Sequence, residues 1–120
     1  MLKAWTTIPQ VTQFDDADIT NLYKLYNTLK KRSAKSKIKV SLIPLYIKIL
    51  TKVIQDFPHF NSSLNSKKDS IIVKKYINVG IAIDTIKGLV VPVIKDAEQL
   101  NFQEIEHSIR NYALKGRDGK

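Results

Sequence analysis

The chain has 120 residues, no cysteine, 4 Gly, 4 Pro, 43% hydrophobic residues and a formal net charge of +9. That excludes a disulfide framework and a cysteine-based zinc site, and it reads as one globular unit, or part of one, able to bury roughly 60–70% of its unfolded surface. Met1-Leu2-Lys3-Ala4-Trp5 is no signal peptide, and the most apolar stretch, Leu42 to Ile54, is broken by Lys48 and Lys52 and too short to span a bilayer.

Residues 7–14 alternate polar and apolar and predict a strand. Asp18 then stands where it can cap a helix over 19–32. Ile19, Leu22, Tyr26 and Leu29 fall on one face of that helix, with Leu25 beside them, and Lys30, Lys31 and Arg32 suit its negative end. Ser33 to Lys39 reads as a polar, basic loop. Ser41 can cap a second helix over 42–56, with Pro44 in its first turn. Leu45, Ile49 and Val53 have apolar neighbours nearly all round, which predicts a buried helix. Phe57-Pro58 ends it.

Asn61 to Leu64 predicts a short strand, Asn65 to Asp69 a turn, and Ile71 to Lys74 a third strand. Ile77 to Asp84 and Leu89 to Ile94 predict two more, joined as a hairpin by a tight turn over 85–88. Pro92 cannot donate to a ladder and marks an edge or bulge. Asn101 with Glu104 forms a capping box, and Phe102, Ile105, Ile109 and Tyr112 line one face of a last helix over 102–114.

The positive charge alone would suggest nucleic acid or an anionic membrane. Its distribution argues against both. Only 3 of the 20 basic residues are Arg, and they are spread along the chain. Excess Lys, Ile and Asn is what an AT-rich genome produces by drift. The densest cluster, Lys30 to Lys39, reads as a solvated helix end and loop. His107 has Asn111 four residues on but sits mid-helix, and His59 between Pro58 and Phe60 reads as a turn residue. No H-E-x-x-H, Walker loop, G-x-G-x-x-G or G-x-S-x-G occurs, and no metal site is expected.

Several segments carry a resemblance in a fixed order. They are Ile8-Pro9-Gln10-Val11-Thr12-Gln13-Phe14-Asp15, Phe60-Asn61-Ser62-Ser63-Leu64, Lys75-Tyr76-Ile77-Asn78-Val79-Gly80, Asp84-Thr85, Gly88-Leu89-Val90-Val91-Pro92-Val93 and Lys115-Gly116-Arg117-Asp118-Gly119-Lys120. Together they resemble the dihydrolipoamide acyltransferase core of the 2-oxoacid dehydrogenase complexes, nearest to its pyruvate branch. The resemblance implies an α/β sandwich like chloramphenicol acetyltransferase, with a mixed sheet and covering helices, incomplete here. It implies residues 1–120 as the N-terminal half of the catalytic domain, with no lipoyl domain and no peripheral-subunit-binding domain.

By resemblance, the reaction passes an acetyl group between dihydrolipoyl-lysine and coenzyme A. The partners are coenzyme A, lipoyl domains and other acyltransferase subunits in a trimer-based core, in the cytoplasm. Lipoate is carried by domains absent here. The family's H-x-x-x-D-G motif and its supporting G-G-x-F-T-x-S-type segment do not occur in the sequence. The chain alone is therefore expected to be inactive.

The resemblance places Asp84 at the substrate channel as an orienting carboxylate, with Asn61, Ser62 and Ser63 nearby. Asp84 also reads as a strand-end turn residue, and 61–63 as a polar turn after a helix. Lys30 and Lys31 are candidates for the phosphates of coenzyme A. Two positions depart from the family: Gln10 stands where His is common, and Leu25-Tyr26 where an Arg often follows an apolar residue. A tyrosine brings no charge to a phosphate. The alternative expectation is a non-catalytic assembly or binding module derived from the same domain.

Overall fold

The computed structural model describes residues 9–34, 40–86 and 88–117. Helix α1 (Thr20–Ser33) starts where the Asp18 carboxylate accepts the Thr20 backbone N–H at 2.8 Å and the Thr20 hydroxyl. Lys30, Lys31 and Arg32 lie in its last turn, at the negative end of the helix dipole. Leu22, Tyr26 and Leu29 are half-buried along one side.

Helix α2 (Ile43–Asp56) has Pro44 in its first turn. Ser41 does not cap it. The helix starts one residue later, with Leu42 at its cap position, and the Ser41 hydroxyl donates to Glu106 Oε2, 65 residues away. Nor is α2 buried on all sides. Pro44, Ile47 and Thr51 are buried, while Ile43, Tyr46, Ile49, Leu50, Val53 and Phe57 remain 42–59% exposed. The described chain covers only one side of a helix that is apolar on two.

A 3₁₀ turn (Pro58–Asn61) leads into β1 (Ser62–Leu64), which pairs antiparallel with β2 (Ile71–Val73). The connection closes on Asn65. Its carbonyl accepts the Lys68 N–H at 3.0 Å and its Oδ1 accepts the Asp69 N–H at 3.1 Å, with Lys68 in the left-handed region at φ 59.

The two longer strands expected over 77–84 and 89–94 form as four short ones: β3 (Val79–Gly80), β4 (Ile83–Thr85), β5 (Gly88–Val90) and β6 (Val93–Ile94). Val79 faces Ile94 and Ile83 faces Val90, so one register runs through both pairs and the four strands are a single interrupted hairpin. Pro92 causes the interruption. Ile81 N–H donates to the Pro92 carbonyl at 3.0 Å, but proline has no N–H to return. Residue 87, in the turn expected over 85–88, and residues 35–39 of the expected loop lie outside the described residues.

Among the described residues the strands do not join into the one mixed sheet expected, though helices and strands together make the expected α/β fold. The described strands make three two-stranded ladders, all antiparallel, because each strand finds its partner across a short connection. Of the strand expected over 7–14, residues 7 and 8 lie outside the described residues and 9–14 form no ladder. Val11 is 86% and Phe14 94% exposed. A strand needs a neighbour, and no described strand lies beside this segment.

Helix α3 (Phe102–Arg117) opens on the expected capping box. Asn101 N–H donates to Glu104 Oε2 at 2.7 Å, and Glu104 N–H donates back to Asn101 Oδ1 at 3.0 Å. Its apolar face completes the small core of Ile47, Ile94, Ala97 and Ile105, against which Val79, Ile81, Leu100, Ile109 and Tyr112 pack. The connection before α3 is tied down from both sides. Ala97 N–H donates to the Ile77 carbonyl at 2.8 Å, Ile77 N–H to Glu98 Oε2 at 3.1 Å, and Lys48 Nζ to the Leu100 carbonyl at 2.8 Å.

The core is small for the chain. The exposed surface is 10144 Å², where a folded chain of this mass exposes about 6,600 Å². The radius of gyration is 17.3 Å, against about 13.6 Å for a compact domain of this length. About half of the unfolded surface is buried, below the roughly 60–70% that length alone predicts.

Candidate functional site

Asp84 lies in β4, opposite Leu89. Its side chain is exposed, and among the described residues no hydrogen bond or ion pair engages the carboxylate. The backbone beneath it is held firmly. Thr85 Oγ1 donates to the Gly88 carbonyl at 2.6 Å, and Gly88 takes φ 108, which suits glycine alone. On the other side, buried Gly116 of α3 faces Thr85. A methyl group added at Gly116 would stand 2.8 Å from Thr85 Cγ2. The last turn of α3 can therefore seat against β4 because residue 116 has no side chain. Tyr112 donates to the Val93 carbonyl at 3.1 Å and fixes the same helix to the far strand of the hairpin.

Asn61, Ser62 and Ser63 lie together at the start of β1. Two of their side chains are committed to local bonds. Asn61 Nδ2 donates to the Tyr76 carbonyl at 2.7 Å, and Ser62 Oγ donates to the His59 carbonyl at 2.6 Å. Ser63 is exposed opposite Ile72. These bonds close the 3₁₀ turn and tie it to the chain beyond β2. Asp84 belongs to a different ladder from residues 61–63.

Lys30 and Lys31 are exposed at the end of α1. Lys30 Nζ sits 5.7 Å from the Tyr26 ring centroid, within cation–π reach, and Tyr23 stacks near Tyr26 at 5.9 Å. An apolar groove lined by Leu29, Ser33, Val40, Leu45, Phe102 and Gln103 separates the end of α1 from α2 and α3. Thus the candidate residues fall in three places, on α1, at β1 and on β4.

His59 sits in the 3₁₀ turn. His107 is exposed on α3, with Asn111 Nδ2 at 2.9 Å from its Nε2. Among the described residues no cluster of three or more His, Asp or Glu side chains could hold a metal, and no helix is long and apolar enough to cross a membrane. The carboxyl of Asp18 is held below the usual aspartate range, first by the Thr20 hydroxyl and then by the Thr20 N–H. The contacts that sequence reading missed are Gly116 on Thr85, Ser41 on Glu106 and Lys48 on the carbonyl of Leu100. Each joins residues far apart in the chain, and none leaves a local pattern.

This arrangement of helices and hairpin is shared with solved acyltransferase cores. A structure of the cubic core of the pyruvate dehydrogenase multienzyme complex matches with a TM-score of 0.88 and 35% identity, over 99% of this chain and 49% of that one. A structure of Azotobacter vinelandii dihydrolipoamide acetyltransferase, solved to study the roles of a serine, a histidine and an asparagine in its mechanism, matches with a TM-score of 0.87 and 35% identity. That match covers 98% of this chain and 49% of that one. The family model for the catalytic domain of 2-oxoacid dehydrogenase acyltransferases matches residues 1–120, and the chain belongs to that family.

Among named relatives, the dihydrolipoyllysine-residue acetyltransferase component of the pyruvate dehydrogenase complex from Cupriavidus necator is 45% identical over 118 residues, 98% of this chain. The Bacillus subtilis component of the same name is 41% identical over 120 residues. The chain spans 21% and 27% of the lengths of these two relatives.

Proposed function

We propose that these 120 residues serve as part of the acyltransferase core of a 2-oxoacid dehydrogenase complex, the pyruvate complex foremost, in which an acetyl group passes between dihydrolipoyl-lysine and coenzyme A. The observation that carries this reading is the match of the whole chain to the family's catalytic domain, in sequence and in backbone. The chemistry needs a base to take the thiol proton of coenzyme A. The thiolate then attacks the acyl-dihydrolipoamide thioester, a hydroxyl steadies the tetrahedral oxyanion, and its collapse breaks the old C–S bond and expels the dihydrolipoamide thiolate, which takes the proton back from the base.

In this reading the chain supplies walls of the substrate channel. Asp84, unpartnered on a firmly held strand, orients. Asn61, Ser62 and Ser63 line. Lys30 and Lys31 meet phosphate. His59 and His107 do not have the family motif of the base, and the purified chain is expected to transfer no acetyl group from acetyl-coenzyme A to dihydrolipoamide above background. Lipoyl domains and further acyltransferase subunits are its partners.

A chimera tests the reading. The segment of the Bacillus subtilis relative that matches residues 1–120 is replaced by this chain. The chimera should transfer acetyl groups, and Asp84→Ala within it should lower kcat/KM by about a hundredfold, the size of effect that misplacing a reacting group produces. A folded chimera without activity sinks the proposal. Turnover by the isolated chain that vanishes on His107→Ala would move the base into these residues.

A further inference from the structure

Thr85 stands next to Asp84 and carries two substituents on Cβ, each of which engages a different element. Its hydroxyl donates to the Gly88 carbonyl at 2.6 Å, across the turn between β4 and β5. Its methyl faces the last turn of α3, where a Cβ at residue 116 would stand 2.8 Å from Thr85 Cγ2 and 3.8 Å from Ile83 Cγ2. Ile83 and Thr85 therefore share the side of β4 that meets α3. Side chains alternate along a strand, so Asp84 projects from the opposite side. The exposures agree: Ile83 and Thr85 are half-buried, and Asp84 is exposed.

Only threonine makes both contacts from one Cβ. Valine keeps the methyl and loses the donor, and serine keeps the donor and loses the methyl. The β-branch also leaves χ1 little freedom. The strand is thus fixed at its last residue from the turn side and from the helix side. Asp84 sits in the same short register, opposite Leu89, between the pairs Ile83–Val90 and Thr85–Gly88. Among the described residues nothing engages its carboxylate. A carboxylate without a partner is aimed by its backbone and rotamer alone. Misplacing a reacting group by about 1 Å can cost about a hundredfold in rate.

We infer that Thr85 is the positioning residue of the Asp84 carboxylate. Its hydroxyl closes the turn, its methyl seats β4 on α3, and together they hold the backbone from which Asp84 reaches outward. The inference rests on the reading above, in which Asp84 orients at the substrate channel, and it gives Thr85 no contact with substrate. The hydroxyl carries the larger share. It ties β4 to β5 directly beside Asp84, whereas the methyl shares the fixing of α3 to the hairpin with Tyr112 on the Val93 carbonyl.

Two measurements test it. In the 120-residue chain, NMR relaxation of the backbone amides reads how firmly Asp84 and Leu89 are held. Thr85→Val should take both order parameters from about 0.85, the value of rigid backbone, to below about 0.6. Thr85→Ser should leave them high. Valine suits a strand, so circular dichroism and the amides of α3 should keep the parent's values. In the chimera, Thr85→Val should lower kcat about tenfold, the scale that one neutral hydrogen bond supports, with KM for coenzyme A unchanged. Thr85→Ser should keep kcat within about threefold of the parent chimera. In the Asp84→Ala chimera the same Thr85→Val should cost nothing further, since a residue that acts through Asp84 then has nothing to position. Undiminished order at Asp84 in Thr85→Val, or a tenfold fall that persists without the Asp84 carboxylate, would overturn the inference. An inactive chimera with the expected loss of order defeats the functional reading and leaves the positioning standing. An active chimera with Asp84 held as before does the reverse.

Discussion

Asn101 and Glu104 satisfy each other's backbone N–H groups, and both bonds are present at the head of α3. Loss of such a cap costs about 1 kcal/mol. Asn101→Ala should therefore lower the urea midpoint by that amount with no change of slope, and Asn101→Asp should retain most of it. Asp18 stands one residue before the cap position of α1, and its carboxylate accepts the N–H of Thr20, the first helical residue. Its carboxyl is lowered by the Thr20 hydroxyl first and the Thr20 N–H second. A lowered folded pKa means that the stabilisation is fully present above the unfolded aspartate value, about 3.9, and disappears as pH falls through the folded value. An NMR titration should place the Asp18 midpoint below that of an aspartate in a free peptide. Thr20→Val should move it back up, and an unmoved midpoint would contradict the cap. Both caps were legible in the sequence because partner and cap stand within three residues. The place of Ser41 was not, because its partner Glu106 stands 65 residues away, and a contact over that distance leaves no trace in local pattern.

The hairpin shows how one residue shapes a ladder. Its register is the same on either side of the break, so nothing but the missing N–H at Pro92 separates the two pairs. Pro92→Val should add a hydrogen bond from residue 92 to the Ile81 carbonyl. Hydrogen exchange would show one new protected amide there and slower exchange at Ile81. If residue 92 exchanges freely in the variant, the break has another cause. At the other end, Gly116→Leu should part α3 from β4, since even a methyl group would sit 2.8 Å from Thr85 Cγ2. The hairpin and all three helices were readable from period and punctuation. The segment over 9–14 has strand-like alternation and no ladder, since pairing is decided by a partner that alternation does not name. Asp84 could be located on its strand from sequence, but the seat that Gly116 gives that strand could not. Helix α2 defeated the reading in a different way. Apolar residues nearly all round predict burial, but they cannot say which side the present neighbours cover.

The extent of burial bears on how the chain unfolds. Exposing about a quarter less new surface than a compact chain of this mass should lower the urea m-value by the same fraction. Equilibrium unfolding followed by circular dichroism measures it directly, and an m-value typical of a compact 120-residue domain would show that the isolated chain is tighter in solution than 17.3 Å implies. Basic charge keeps such a surface dispersed at low salt, so association should grow as salt screens it.

Helix α2 is apolar on two sides and covered on one among the described residues, and this bears on what its positions tolerate. A position on an ordinary amphipathic helix drifts freely once it leaves the covered side. Lys48 and Lys52 are the two lysines of this helix. Lys48 is turned to use, its ammonium on the Leu100 carbonyl, and Lys52 is paired with Asp56. A charge placed at Leu50 or Val53 would stand on the exposed side and leave the buried side of Pro44, Ile47 and Thr51 untouched.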